Sequence, residues 1–262
     1  GQGYLDLNFV IPEIVERVDF RKGPYRASTG DFSAAGSARY STYDDLGEEF
    51  VELSVGEFGY IRGVAAGDFD LSADTELLLA LEVENYDGPW VLDQDLEKLN
   101  AFAKLTRETG PWRLEVSATA YDSSWTATDQ IPLRAVESGQ IDRFGFIDPD
   151  LGGETTRLGL NGQAVYNHED GARTSLSAYA VDYDFTLFSN FTYFLDDPVN
   201  GDEFEQLDER TYYGATLSHE RTLNDRLNLR LGAETRFDDI SDIGLFKTAA
   251  RQRLSTVRRD SV

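Results

Sequence analysis

The chain has 262 residues, enough for one large domain or two small ones, and its 48 acidic against 24 basic residues give a formal charge of −24. Such a surface repels phosphate, so no nucleic-acid partner is expected. With no cysteine there are neither disulfides nor thiolate metal sites, and the two histidines, His168 and His219, lack the HExxH spacing of a zinc hydrolase.

The opening GQGYLDLNFV has no initiator methionine, basic leader or apolar leader segment, so no signal peptide is read there; either it was removed or this is an internal piece. A short apolar-polar strand follows in VERVDFRK. The pair Gly23-Pro24 then marks either a specialised hinge or a plain tight turn, and a run of mostly small residues, RASTGDFSAAGS, leads on.

From residue 50 the dominant signal is a period of two, which predicts strands. FVELSVGE carries Val51, Leu53 and Val55 on one face, IRGVAAGDFDL is weak and glycine-rich, and TELLLALEVENY aligns Leu77, Leu79, Leu81 and Val83. LNAFAKLTR sets Leu99, Ala101, Ala103 and Leu105 against Asn100, Phe102, Lys104 and Thr106. In WRLEVSATAYDSSW, residues Trp112, Leu114, Val116, Ala118 and Ala120 share a face, and RLGLNGQAVYN repeats the pattern with Leu158, Leu160, Gly162, Ala164 and Tyr166. TSLSAYAVDYDFTLF lines up Tyr179, Val181, Tyr183, Phe185 and Leu187, and TYYGATLSHER offers Thr211, Tyr213, Ala215 and Leu217. RLNLRLGAETRFD closes the series with Leu227, Leu229, Leu231, Ala233, Thr235 and Phe237. About nine antiparallel strands are therefore expected.

Their connections fall into two classes. Short polar turns stand at 71–74, 108–111, 169–171 and 223–225, whereas long acidic and aromatic stretches cover 86–98, 126–154, 189–209 and 239–253. No window approaches the roughly 18 to 20 consecutive apolar residues of a membrane-spanning helix. Strands of about 10 to 14 residues are roughly twice the usual globular length. That length, the polar face rich in Arg, Glu, Asn and Gln, the aromatic strand ends at Tyr86, Trp112, Tyr166 and Phe237, and the two loop classes together predict a transmembrane β-barrel segment. Nine strands leave an edge that lipid does not tolerate, so the barrel is expected to be incomplete at both ends of this chain.

The stretch IPEIVERVDFRKGPYRASTGDFSAAGSARY resembles the end of the plug domain of TonB-dependent outer-membrane receptors, with a Pro-led helical turn at Pro12-Glu13-Ile14-Val15 and a strand of the type IERV(D/E)xxRGP. Lys22 stands between Arg21 and Gly23, where many members have Arg directly before Gly-Pro. YDGPW, TDQIPLRAVESG, FGFIDPDLGG, LFSNFTYFLDDPVNGDEFEQ and ARQRLSTVR look like one subgroup of the same receptors, so the resemblance spans essentially the whole chain. It implies a barrel of about 22 strands around a plug. Residues 1–46 would be the C-terminal part of that plug with its linker, and residues 47–262 the first barrel strands with their extracellular loops. It further implies a bacterial outer-membrane location, lipid contact, TonB as partner through an absent segment, and energy-coupled import of a scarce extracellular small molecule.

Arg21, Gly23, Pro24 and Arg26 are the candidate plug turn and plug-barrel contact, the two arginines facing wall carboxylates such as Glu52, Glu82 or Glu84 or else solvent. Trp90, Trp125, Phe191, Tyr193 and Phe194 are the candidate ligand-binding residues, because aromatic rings offer large rigid contact area. The tryptophans equally suit anchoring at a membrane interface, and Phe191, Tyr193 and Phe194 equally suit packing within their loop. The acidic run Asp196, Asp197, Asp202, Glu203, Glu205, Asp208 and Glu209 does not match calcium-loop spacing and is expected to be a solvated loop. No metal and no cofactor is expected. Asn190-Phe191-Thr192 fits the glycosylation triplet, which matters only in a eukaryotic secretory context. Without GxSxG, Walker or paired-carboxylate signatures, no enzymatic activity is expected. The competing expectation is a soluble or surface-attached glycan-binding β-domain, in which the apolar face must meet a second sheet.

Overall fold

The structure is a computed structural model that describes residues 6–30 and 33–260. Asp31 and Phe32, within the small-residue run, lie outside the described residues. So do residues 1–5 and the last two of the chain.

The described chain opens with a single helical turn, Pro12–Ile14, where proline at the first position supplies the fixed φ and its missing N–H leaves nothing unsatisfied. β1 (Val15–Lys22) follows and pairs antiparallel with β2 (Gly36–Thr42), so the last two residues of the small-residue run, Gly36 and Ser37, lie in a hairpin. Between them Gly23 sits at φ 70° and donates its N–H to Ala35 O, a left-handed turn position that glycine takes without strain.

The remaining strands form one ten-stranded antiparallel meander. In chain order they are β3 (Phe50–Val55), β4 (Ile61–Ser72), β5 (Thr75–Tyr86), β6 (Leu96–Thr109), β7 (Trp112–Thr126), β8 (Gly152–Asn167), β9 (Arg173–Ser189), β10 (Phe204–Asn224), β11 (Leu227–Ala249) and β12 (Gln252–Asp260). A short helix α1 (Leu133–Glu137) lies in the longest connection. The chain is thus all-β and antiparallel; the sheet is open, with β3 and β12 as its edges among the described residues. No described helix is long and apolar enough to cross a membrane, which says nothing of strands.

Three expectations need correction. The segment 239–253 is not a long loop: β11 runs on to Ala249, and β12 follows a turn whose residues Ala250 and Arg251 both have positive φ. The segment 189–209 is half strand, since β10 begins at Phe204. The acidic run is accordingly not one solvated loop. Glu203, Glu205 and Asp208 are buried, with Glu205 paired to Arg253 and Asp208 to Arg210.

The alternation divides the sheet into two unlike faces. Residues 6–30 and 33–46 lie across one of them, and nothing among the described residues lies across the matching apolar stretch of the other. On the covered face stand Arg62, Glu82, Lys98, Asn100, Lys104, Arg113 and Arg157, polar groups of neighbouring strands in register. On the bare face stand Leu53, Leu81, Leu99, Val116, Leu160, Leu176, Leu217 and Leu231, all exposed. Within β5 alone Glu82 is 1 % exposed and its neighbour Leu81 47 %. The register of β9 on β8 sets Tyr179 opposite Asn161 and Ala180 opposite Leu160. The aligned aromatics Tyr179, Tyr183 and Phe185 are therefore on the covered face, and Leu176, Ala178 and Ala180 on the bare one.

One apolar cluster interrupts the polar covered face. Ile11 and Ile14 pack on Val64, Ala66, Leu78 and Ala80, with Leu46, Phe50 and Phe102 at its margin. Burying these side chains seats the N-terminal segment on β4 and β5, each large one contributing about 1.5 to 3 kcal/mol.

Candidate functional site

Two assemblies carry the polar chemistry: the seat of the N-terminal segment on the covered face, and the long connections at one end of the strands.

At the seat, Glu13 follows Pro12 in the helical turn, which points it at the sheet beside Ile14. Arg62 donates from Nη1 and Nη2 to both oxygens of Glu13 at 2.7 and 3.0 Å, and from Nε to Glu82 at 2.6 Å. Lys98 completes the group, 3.2 Å from Glu82 and 2.6 Å from Glu84. Asn100 donates through one amide to Asn8 O and Glu82, both at 2.7 Å. Further along, Lys104 is 2 % exposed and donates to Thr42 O, Tyr43 O and Asp44 Oδ1. Arg113 reaches the second oxygen of Asp44. The Arg157 guanidinium sits 4.0 Å from the Phe9 ring centroid.

These partners set the ionisation of the segment's carboxyls. Hydrogen bonds from Arg62 hold Glu13 below its ordinary value, outweighing its partial burial. Burial raises Asp44, but Lys104 and Arg113 together more than offset it and hold it low. At neutral pH both are charged and paired.

The expected contact residues lie elsewhere. Arg21 and Arg26 are exposed and pair with no carboxylate among the described residues, and Pro24 is exposed beside Gly23. Of the wall carboxylates expected to receive them, Glu82 and Glu84 are taken by Arg62 and Lys98. The segment does reach the far strands: a Cβ on Gly30, at φ 74°, would stand 2.5 Å from Glu234 on β11. What the sequence pattern does not disclose here is Glu13, Asn8, Phe9 and Asp44. Asp44 had a legible signal, an acidic pair Asp44-Asp45 ahead of strands carrying Lys104 and Arg113.

At the other end of the strands, the connections 87–95, 127–151 and 190–203 meet. Val91 N–H donates to Phe144 O, and the Trp90 ring stands 6.1 Å from that of Phe144, so Trp90 ties the first long connection to the second. Trp125, on the last turn of β7 before its connection, packs over Gly153, where a Cβ would meet its ring at 3.0 Å. It lines a cavity of about 250 Å³ with Asp95, Glu154, Phe188 and Arg251.

The three aromatic residues of the third connection part ways. Tyr193 is 4 % exposed and its hydroxyl donates to Thr128 O and Gln130 O at 3.3 and 3.0 Å, so it is a strut between connections. Burial pushes its hydroxyl up to about 12. Phe194 is exposed at the tip, and Phe191 is exposed with its ring centroid 5.3 Å from that of Phe204 in an edge-to-face pair. Phe191 and Phe204 line a cavity of about 380 Å³ with Leu245, Val257, Lys247 and Asp202. Asp202 shapes that tip: its carboxylate accepts the N–H groups of Leu195, Asp196 and Asp197 and the Thr192 hydroxyl. Asn190 holds the loop base, donating N–H to Asp129 and Nδ2 to Asp148, both at 2.9 Å. Burial raises the carboxyls of Asp129 and Glu203 above their ordinary values.

The arrangement sets buried ion pairs at the seat and aromatic rings beside carboxylates in the connections. No protein-family model matches the chain, and no curated protein matches it.

Proposed function

We propose that the chain is part of a TonB-dependent receptor of the bacterial outer membrane, holding the end of the plug and the first barrel strands. The observation that carries this reading is the polarity of the sheet. A soluble protein buries apolar faces and wets polar ones, and this sheet does the reverse. Its polar face is covered by residues 6–30 and 33–46, while its apolar face has no cover among the described residues.

The bare band has the height a bilayer needs. On β7 it runs from Trp112 to Ala120 and stops at Asp122, on β8 from Tyr166 to Leu158 and stops at Thr156, whose hydroxyl donates to Asp122. Nine residues rising about 3.3 Å each at about 40° of tilt span about 20 Å, near the ~25 Å apolar belt of outer-membrane barrels. At the short-turn end an aromatic row closes it, Trp112 and Tyr166 at 4.7 Å with His168 against Tyr166 at 4.6 Å. Rings of this kind suit a lipid headgroup region. The glycan-binding alternative requires a second sheet on the apolar face, and the described residues provide none.

In this reading the edges β3 and β12 are paired by further strands of a barrel of about 22, because an unpaired edge in lipid leaves several backbone groups unsatisfied. The long connections face outward and receive the ligand. The segment seated by Glu13, Asn8 and Asp44 is the base of the plug, and its release under pull from TonB breaks ion pairs to Arg62 and Lys104 without unfolding the wall. The experiment is growth of a deletion strain on single iron or carbon sources, with direct binding of the rescued nutrient to the whole receptor. Loss of growth on one source, restored by the gene only when TonB is present, is expected. Unaltered growth on every source, with no binding above an empty barrel, would contradict the reading.

A further inference from the structure

Where the second long connection joins β8, three carboxylates converge that the import reading does not use. Asp148 and Asp150 come from that connection and Glu203 from the residue before β10, and their ligand oxygens all lie within 4.8 Å of one another. Glu203 is 3 % exposed, so its charge is out of water. None of the three is in an ion pair among the described residues. Arg251 donates its backbone N–H to Glu203 Oε1 but turns its guanidinium to the carbonyls of Asp150 and Leu151. Asp148 is already oriented, accepting from Asp150 N–H and Asn190 Nδ2.

A second observation lies beside the cluster. Thr248 of β11 is fully buried, and its N–H donates to Glu203 O, which makes the two residues neighbours across the ladder. The Thr248 hydroxyl lies against the Glu203 carboxyl group, yet its Oγ1 has no hydrogen-bond partner of ordinary geometry. A buried hydroxyl is left unsatisfied only rarely, and its free lone pairs point at a missing cation.

We propose that Asp148, Asp150 and Glu203, with Thr248 beside them, form a calcium site that clasps the second long connection to the third. Glu203 is out of water with the half-buried Asp148 and Asp150 carboxylates beside it, and like charges held that close repel one another unless a cation sits among them. The donor set is all oxygen, which selects a hard cation and not zinc or copper. Calcium accepts several protein oxygens in a flexible geometry, whereas magnesium demands a near-ideal octahedron and keeps most of its waters, so a set of three carboxylates from two connections suits calcium. The clasp fixes the base of the loop that carries Phe191 and Phe194. It rests on the loop geometry and not on the membrane reading, so failure of one leaves the other standing.

The test uses the whole folded chain, with terbium luminescence displaced by calcium and with timed proteolysis within residues 190–203. Calcium should displace terbium and slow cleavage of that segment, magnesium should do neither at equal concentration, and Glu203→Gln should weaken calcium by roughly tenfold or more. Asp150→Asn, at a less buried position, serves as the second variant should Glu203→Gln fail to fold, with the same loss expected. No displacement or protection up to about 10 mM calcium would overturn the proposal, that being above even weak extracellular calcium sites. So would a calcium response unchanged in a folded variant.

Discussion

Lys104 shows how much of the N-terminal seat depends on single side chains. It is buried, and it is the shared donor to Thr42 O, Tyr43 O and Asp44. Lys104→Met keeps the stem and removes the charge, leaving those acceptors bare, and should lower stability by about 2 kcal/mol in a urea titration. The carboxyl partners give the seat a pH dependence of definite sign. Glu13 and Asp44 are both held below their ordinary values of 4.5 and 3.8, so their contribution is present above those values and lost as pH falls through the lower, folded ones. Hydrogen-exchange protection over residues 6–30 and 33–46, taken relative to the intrinsic exchange rate at each pH, should be unchanged from pH 6 to 9 and should be lost below about pH 4 ahead of the strands. Loss of protection on going alkaline would contradict the assignment. At this scale the sequence was only partly legible. Arg21 and Arg26 stood out because they flank a Gly-Pro turn, yet position relative to a turn does not say which face a side chain meets. Glu13 was hidden because its partner Arg62 lies 49 residues away in a weak, glycine-rich strand.

Strands were the most legible level. Seven of the expected alternations have their named apolar positions on the bare face, since a period of two survives any register, while the weak strand IRGVAAGDFDL turns Val64 and Ala66 to the N-terminal segment. The failures have identifiable causes. β9 carries its large aromatics on the polar side, so hydrophobicity alone pointed to the wrong face, and only its pairing with β8 assigns it. The far end of β11 was lost at Asp238-Asp239-Ile240-Ser241-Asp242, where the pairing with β10 shifts between Glu209 and Arg210 and the alternation breaks. The turn to β12 has two positive-φ residues, Ala250 and Arg251, where Asn-Gly or Gly is the usual signal, so no turn was visible. Faces make a direct prediction. Val116→Arg places a charge in the middle of the bare band and should cost about 2 to 4 kcal/mol in folding into vesicles, against little for Ser117→Arg one residue on. Equal effects would mean that the two faces see the same medium.

For the whole molecule the decisive property is the reversed sheet. Polar residues of several strands converge under residues 6–30 and 33–46, and leucines, valines and alanines face the other way over a height of about 20 Å. Composition concealed this, because a net charge of −24 reads as a water-loving protein while the acidic groups crowd the connections and the covered face. The alternation together with the strand lengths reveals it, and both are legible in the order of the residues alone. The chain has no native cysteine, so single cysteines can be placed along β7 without background. In outer-membrane vesicles, cysteines at Leu114, Val116, Ala118 and Ala120 should resist a water-soluble thiol reagent and have their attached fluorophores quenched by spin-labelled lipid. Cysteines at Glu115, Ser117 and Thr119, which line the cavity of about 470 Å³ beneath the N-terminal segment, should label from water and escape that quencher. Uniform labelling along the strand with no lipid quenching at any position would contradict the account.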